Sequence, residues 1–126
     1  MYYKELEAWK EAIKLVTQIY EITNNYPKTE IYGIINQIRR CVISIPSNIA
    51  EGVVKHSDKE TLRFLDIALG SLAELDTQMI ISQNLEYIDN YEIVEAQILK
   101  TNALLGGLIN YYNKQLKISN KNALVP

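Results

Sequence analysis

Apolar residues recur along the chain at steps of three and four, and no stretch alternates as a strand would. Leu6, Trp9, Ile13, Val16 and Tyr20 predict one face of a first helix over about 4–24, with Leu15 and Ile22 beside the main stripe. Asn24, Asn25, Tyr26 and Pro27 end it, because proline restricts the residue before it and lacks a donor. A second helix starts near Thr29 as N-cap, with the seam Ile31, Ile34, Ile35, Ile38, Val42, Ile45 and Ile49. Pro46 falls inside that pattern and predicts a kink rather than an end. Gly52 and the stretch 55–57 close the helix.

Ser57-Asp58-Lys59-Glu60 has the form of a capping box, Ser57 capping and Glu60 reaching back. A third helix then runs to about Asn84, with the seam Leu62, Leu65, Leu69, Leu72, Leu75 and Met79. Gly70 in mid-helix costs about 1 kcal/mol relative to alanine, which predicts close helix approach in compensation. Asp89-Asn90-Tyr91-Glu92 repeats the capping logic for a fourth helix reaching about Leu116. The prediction is an all-α, up-down-up-down antiparallel four-helix bundle over residues 1–117, with a disordered tail over 118–126.

The helices carry more apolar surface than one core consumes. Helix four is apolar nearly all round, from Ile93 to Tyr112, and its Gly106-Gly107 pair would let a second backbone approach. Helix three has a second patch, Phe64, Ile67 and Ile81. Scattered surface hydrophobes on a monomer are one reading. The preferred one is a homo-oligomer that buries these second faces.

A polar stripe flanks the seam of helix two. Gln37, Arg40, Ser44, Asn48 and Glu51 fall within about an 80° arc. Ser71 and Glu74 of helix three, and Arg39 or Arg40, are candidate partners, and a serine or asparagine could satisfy the carbonyl that Pro46 leaves unpaired. A ligand site and a structural hydrogen-bond network both fit. The network is preferred, because buried polar groups in bundles usually specify geometry.

Charge and composition narrow the function. The 126 residues form one domain with a net charge of −2. Residues 28–63 hold six Lys/Arg, one His and four acids, residues 64–99 hold seven acids and no Lys or Arg, and residues 100–126 hold four Lys and no acid. Arg39, Arg40, Lys55, Lys59 and Arg63, with His56, form the candidate nucleic-acid face, and Tyr2, Tyr3, Tyr26 and Tyr32 could stack on bases. A solvated mixed-charge face is the competing reading. One cysteine, Cys41, excludes an internal disulfide and fits a cytoplasmic protein. No apolar run is long enough to span a membrane.

Enzyme chemistry finds no support in the residues. The lone His56 lies five residues after Glu51, not the three that a di-metal bundle site requires, so neither metal nor cofactor is expected. Cys41 reads as an inert core thiol. No nucleophile elbow or phosphate-binding loop occurs, and Glu51 and Glu74 lack the nucleophile and oxyanion donors that would make them an acid/base pair. No small-molecule substrate is expected.

Several motifs carry a resemblance. Leu6, Trp9 and Ala12, then Tyr26-Pro27, Glu30, Tyr32-Gly33-Ile34, Gln37 to Arg40, the run Ser44-Ile45-Pro46-Ser47-Asn48-Ile49-Ala50-Glu51-Gly52, and Gly70-Ser71 with Glu74-Leu75, are similar to the four-helix-bundle proteins encoded in bacterial large-subunit ribosomal RNA intervening sequences. The resemblance covers about residues 3–115. It implies an up-down bundle assembled as a homopentameric ring. It also implies kinship with the accessory variability protein of diversity-generating retroelements, a strongly basic ring that binds nucleic acid and a reverse transcriptase. Arg39, Arg40, Ser44, Asn48, Glu51, Ser71 and Glu74 carry over as a structural and interface set. The expected function is a non-enzymatic oligomeric scaffold that binds RNA or a ribonucleoprotein through its basic face. The alternative is a pure protein-interaction ring with no nucleic-acid role.

Overall fold

The structure, a computed structural model, describes residues 1–123. Four helices build it: α1 (Glu7–Thr23), α2 (Ile34–Val53), α3 (Asp58–Asn84) and α4 (Tyr91–Ala123). No strand occurs among the described residues. Consecutive helices pack together and α4 returns against α1, while diagonal pairs make no close backbone approach. Two contacts fix the antiparallel sense of α2 and α3: Thr61 bonds Gly52, and Cys41 bonds the carbonyl of Ser71. Likewise Gln97 meets Glu11 and Tyr112 meets Met1 where α4 descends beside α1. This is the predicted four-helix bundle, and α2 continues through the buried Pro46.

The core differs from the predicted stripe on α1. Ala8, Ala12, Leu15 and Ile19 are buried there, whereas Trp9, Val16 and Tyr20 are half-buried and Ile13 is exposed. Two apolar stripes of equal spacing run along this helix. The small Ala8 and Ala12 let the backbone approach the bundle axis, so their stripe turns inward and the bulkier one flanks α2. On α3 a similar substitution occurs: Ala68 is buried and Leu69 is exposed. The seams of α2 and of the rest of α3 are buried as predicted, apart from Ile31, which precedes α2 and is exposed, and Ile34, the first residue of α2, which is half-buried.

The helix ends follow local chemistry. Pro27 opens a 3-10 turn, Lys28–Glu30, so α2 begins five residues after Thr29, with Gly33 rather than Thr29 at the N-cap. Ser57 Oγ caps α3 by accepting from Glu60 N at 3.0 Å. The reciprocal arm of the predicted capping box is not made, because the Glu60 carboxylate takes Arg63 Nε at 2.8 Å instead. Past the C-cap of α3, Glu86 has φ 63°, in the left-handed region, and the N–H groups of Glu86 and Tyr87 bond the carbonyls of Gln83 and Ser82. This is a Schellman ending with glutamate where glycine is usual. Asn90 Oδ1 accepts from Glu92 N at 3.1 Å to start α4. That helix runs to Ala123 and thus through the first six residues of the expected tail; residues 124–126 lie outside the described residues.

Close approach occurs at Gly52, not at Gly70. A Cβ on Gly52 would lie 2.9 Å from Phe64 Cβ and 3.2 Å from the Thr61 carbonyl oxygen, while Gly70, Gly106 and Gly107 face open space. The α2–α3 corner therefore demands the smallest residue.

Candidate interaction surfaces

The polar stripe of α2 divides on folding. Ser44 Oγ lies 2.6 Å from the Cys41 carbonyl oxygen and 2.8 Å from Ser71 Oγ. A hydroxyl has one proton, so Ser44 donates to the carbonyl and accepts from Ser71. Asn48 Nδ2 donates to the Ser44 carbonyl at 2.7 Å, and Cys41 Sγ to the Ser71 carbonyl at 3.1 Å. Ser47 Oγ donates to the Ile43 carbonyl. These side chains serve the carbonyls of Cys41, Ile43 and Ser44, not that of Val42, whose helical donor Pro46 removes. Ser44, Asn48 and Ser71 thus form a structural seam between α2 and α3, with the hydroxyls bridging the two helices.

Gln37, Arg40 and Glu74 stay outside that seam. They line a surface cleft of about 410 Å³ with Asn36, Cys41 and Ser44. Gln78 Nε2 donates weakly to Glu74 at 3.4 Å. Glu51 is exposed near the end of α2, eleven residues beyond Arg40 and so about 16 Å along the axis. Glu51 and Glu74 therefore do not meet as an acid/base pair. Burial first, then the nearby Glu74 carboxylate, pushes the Cys41 thiol up to about 12, away from the thiolate form that a nucleophile needs. No group of three His, Cys, Asp or Glu side chains is placed to hold a metal among the described residues.

The candidate basic face separates into two ends of the bundle. Arg39 folds back on α1, donating to Thr23 Oγ1 at 2.9 Å and Asn24 Oδ1 at 3.0 Å over the Tyr20 ring. Arg40, on the next position, turns to the cleft. Lys55 and Arg63 cover the Phe64 ring at the opposite end, with Arg63 also paired to Glu60 and Lys59 beside it. Among the candidate stacking tyrosines, Tyr26 is buried against Tyr87 and Met79, Tyr3 packs on Trp9, and Tyr32 is 94% exposed.

Between α1 and α2 lies a hollow of about 330 Å³ walled by Tyr3, Trp9, Ile13, Val16, Ile43, Pro46 and Ala50, with Ser47 also on its rim. The stripe predicted as core on α1 is one wall of it. A neighbouring hollow of about 480 Å³ continues the face toward Tyr20, Ile31 and Tyr32. Opposite, on the α3–α4 side, Leu69, Ile80 and Leu99 stand exposed, Leu99 at 59%. By helical period Leu69 and Ile80 share the side of α3 that carries Asp76, whose carboxylate accepts from the Tyr91 hydroxyl of α4.

Sequence reasoning missed one polar centre. Glu11 of α1 is 3% exposed, yet charged. Gln97 Nε2 donates to its carboxylate at 2.8 Å, and Lys14 and Lys100 pair with it at 3.2 and 3.1 Å. The Gln97 bond, then Lys100, holds the carboxyl at about 2. Glu11 falls beside Ala8, Ala12 and Leu15, on the side of α1 away from the predicted stripe, where that stripe predicts solvent.

Set against known proteins, the family model described as 23S rRNA-intervening sequence protein matches residues 4–107. The chain belongs to this family. A solved structure from Bacteroides thetaiotaomicron, described as a protein of unknown function from the S23 ribosomal protein family, shares the fold with a TM-score of 0.76. It is 22% identical, and the alignment covers 87% of this chain and 99% of that one. No curated protein matches the chain. Neither description names an enzymatic activity. In this family member no helix among the described residues is long and apolar enough to cross a membrane.

Proposed function

We propose that this intervening-sequence protein is a non-enzymatic scaffold that assembles copies of itself, in the fivefold ring that the family resemblance implies. One observation carries the reading: an apolar groove on α1–α2, walled by Trp9, Ile13, Val16, Ile43, Pro46 and Ala50, lies open to water. A ring needs two different patches on each subunit. The α1–α2 groove and the Leu69–Ile80–Leu99 ridge on α3–α4 are such a pair, on opposite sides of a square bundle, and the occupant we assign to the groove is that ridge on the next copy. The seam of Ser44, Asn48 and Ser71 holds α2 and α3 in fixed register, so both patches are rigid before association.

Light scattering tests it. The expected mass is several times 14.5 kDa, and Ile43→Glu, at a position 43% exposed, should return a helical 14.5 kDa particle. A single 14.5 kDa particle for the unmodified chain at high concentration would refute the reading.

A further inference from the structure

The last turns of α4 project past the rest of the bundle. Tyr112 is the last buried residue of this helix, held where its hydroxyl reaches Met1 Sδ at 3.6 Å. Leu116 still touches the core, and every residue from 117 to 123 is exposed. Those seven residues extend α4 by about 10 Å. The arm also lies beyond residue 107, where the family match ends.

Its chemistry is of one kind. From Lys100 to the end of the chain there is no acid. At the helical period Lys114, Lys117 and Lys121 fall within an arc of about 60°, so they form one stripe. None of them is in an ion pair among the described residues. Arg39, Lys55 and Arg63, by contrast, are each held by neighbours. Beside the lysines stand the polar Gln115, Ser119, Asn120 and Asn122. Asn, Gln and Ser, with Lys, are residue types that contact phosphate and sugar. Tyr111, 45% exposed, stands at the root of the arm as a stacking face.

We propose that this arm binds the phosphate backbone of a single-stranded polynucleotide, with Lys114, Lys117 and Lys121 as the phosphate contacts. An acidic protein surface would also attract the lysines. Among the described residues, however, the arm offers a protein only Ile118 as an exposed large apolar anchor, whereas interfaces depend on several central ones. The inference goes beyond self-association and does not require it. In a cyclic assembly all arms leave the same end, so that a weak contact is repeated and gains avidity.

The test is fluorescence anisotropy with labelled single-stranded RNA and DNA of about 20 nucleotides, titrated between about 50 and 200 mM salt. Affinity should fall steeply with salt. The triple variant Lys114→Gln/Lys117→Gln/Lys121→Gln should bind at least about tenfold more weakly at the lowest salt. Its slope of log K against log salt should be shallower by about 2, since each phosphate contact on a single strand contributes roughly 0.7. Equal binding of RNA and DNA identifies phosphate as the group read, and tighter RNA adds contacts to the 2′-hydroxyl. Circular dichroism and light scattering on the variant establish unchanged folding and assembly. The Ile43→Glu background shows the same slope change if self-association fails, which separates the two readings. No binding by the unmodified chain, an unchanged slope in the triple variant, or competition by polyglutamate as strong as by RNA would each overturn the proposal.

Discussion

Glu11 on α1 and Gln97 on α4 are joined twice: Gln97 Nε2 donates to the Glu11 carboxylate at 2.8 Å and to the Glu11 backbone carbonyl at 3.1 Å. One amide thereby clamps the helix pair that closes the bundle, 86 residues apart in sequence. Lys14 and Lys100 neutralise the charge that this clamp buries.

The clamp makes stability depend on pH. The Glu11 carboxyl falls from an ordinary 4.5 to about 2 in the folded state, chiefly through the Gln97 bond and then through Lys100. A depressed carboxyl contributes stability above its unfolded value and loses it as pH drops through the folded one. The contribution should be complete above about 4.5 and vanish by about 2. Thermal melts of the wild type and Glu11→Gln should therefore differ most near neutrality and converge across that window. Melting temperatures that stay a constant distance apart from pH 5 down to pH 2 would contradict this.

Much of this fold is legible in the residues. The seams of α2 and α3, the Ser57 cap and the Asn90 start each depend on local spacing and local hydrogen bonds. What was illegible depends on competition between equivalent patterns. On α1 the stripe of Leu6, Trp9 and Ile13 and that of Ala8, Ala12 and Leu15 have the same period. Only packing against the other helices, where the small Ala8 and Ala12 admit a closer approach, selects the second. The basic cluster is divided between two ends of the bundle for a related reason. Adjacent in sequence, Arg39 and Arg40 point about 100° apart on α2, whereas Lys55 lies in the loop after α2 and Lys59 and Arg63 on the first turns of α3, at the other end of the bundle. Of the polar stripe, Ser44, Asn48 and Ser71 were recoverable because their side chains are short enough to reach only backbone or one another.

At the α2–α3 corner, space rather than charge is limiting. Thr61 Oγ1 donates to the Gly52 carbonyl at 2.8 Å, and the Phe64 side chain closes over the glycine. Gly52→Ala places a methyl 2.9 Å from Phe64 Cβ, which cannot rotate away because it is the first atom of its side chain. The gain in helix propensity, about 1 kcal/mol, is outweighed by overpacking of about 1–3 kcal/mol. Denaturant titration should show a net loss of stability. The double variant Gly52→Ala/Phe64→Gly should be less than additive, because it removes the Cβ that the new methyl meets. Stabilisation by the single substitution would show that the corner is loose.

The opposite sign is expected at the α3–α4 turn. Glu86 holds φ 63° with its side chain exposed, so its backbone bears the left-handed penalty and no contact repays it. That penalty is about 1–2 kcal/mol for a residue with a Cβ. Its carboxylate also follows the C-terminus of α3, where negative charge opposes the helix dipole by some 0.3–1 kcal/mol. Glu86→Gly removes both, against a cost of roughly 0.5–1 kcal/mol for the greater freedom of glycine in the unfolded chain. A net gain of about 1 kcal/mol should raise the melting temperature by several degrees. Glu86→Asn tolerates the left-handed conformation and drops the charge, so it should recover part of the gain, whereas Glu86→Gln drops the charge alone and should recover less. A ranking with glutamine at or above glycine would mean that the dipole, and not the backbone, governs this turn.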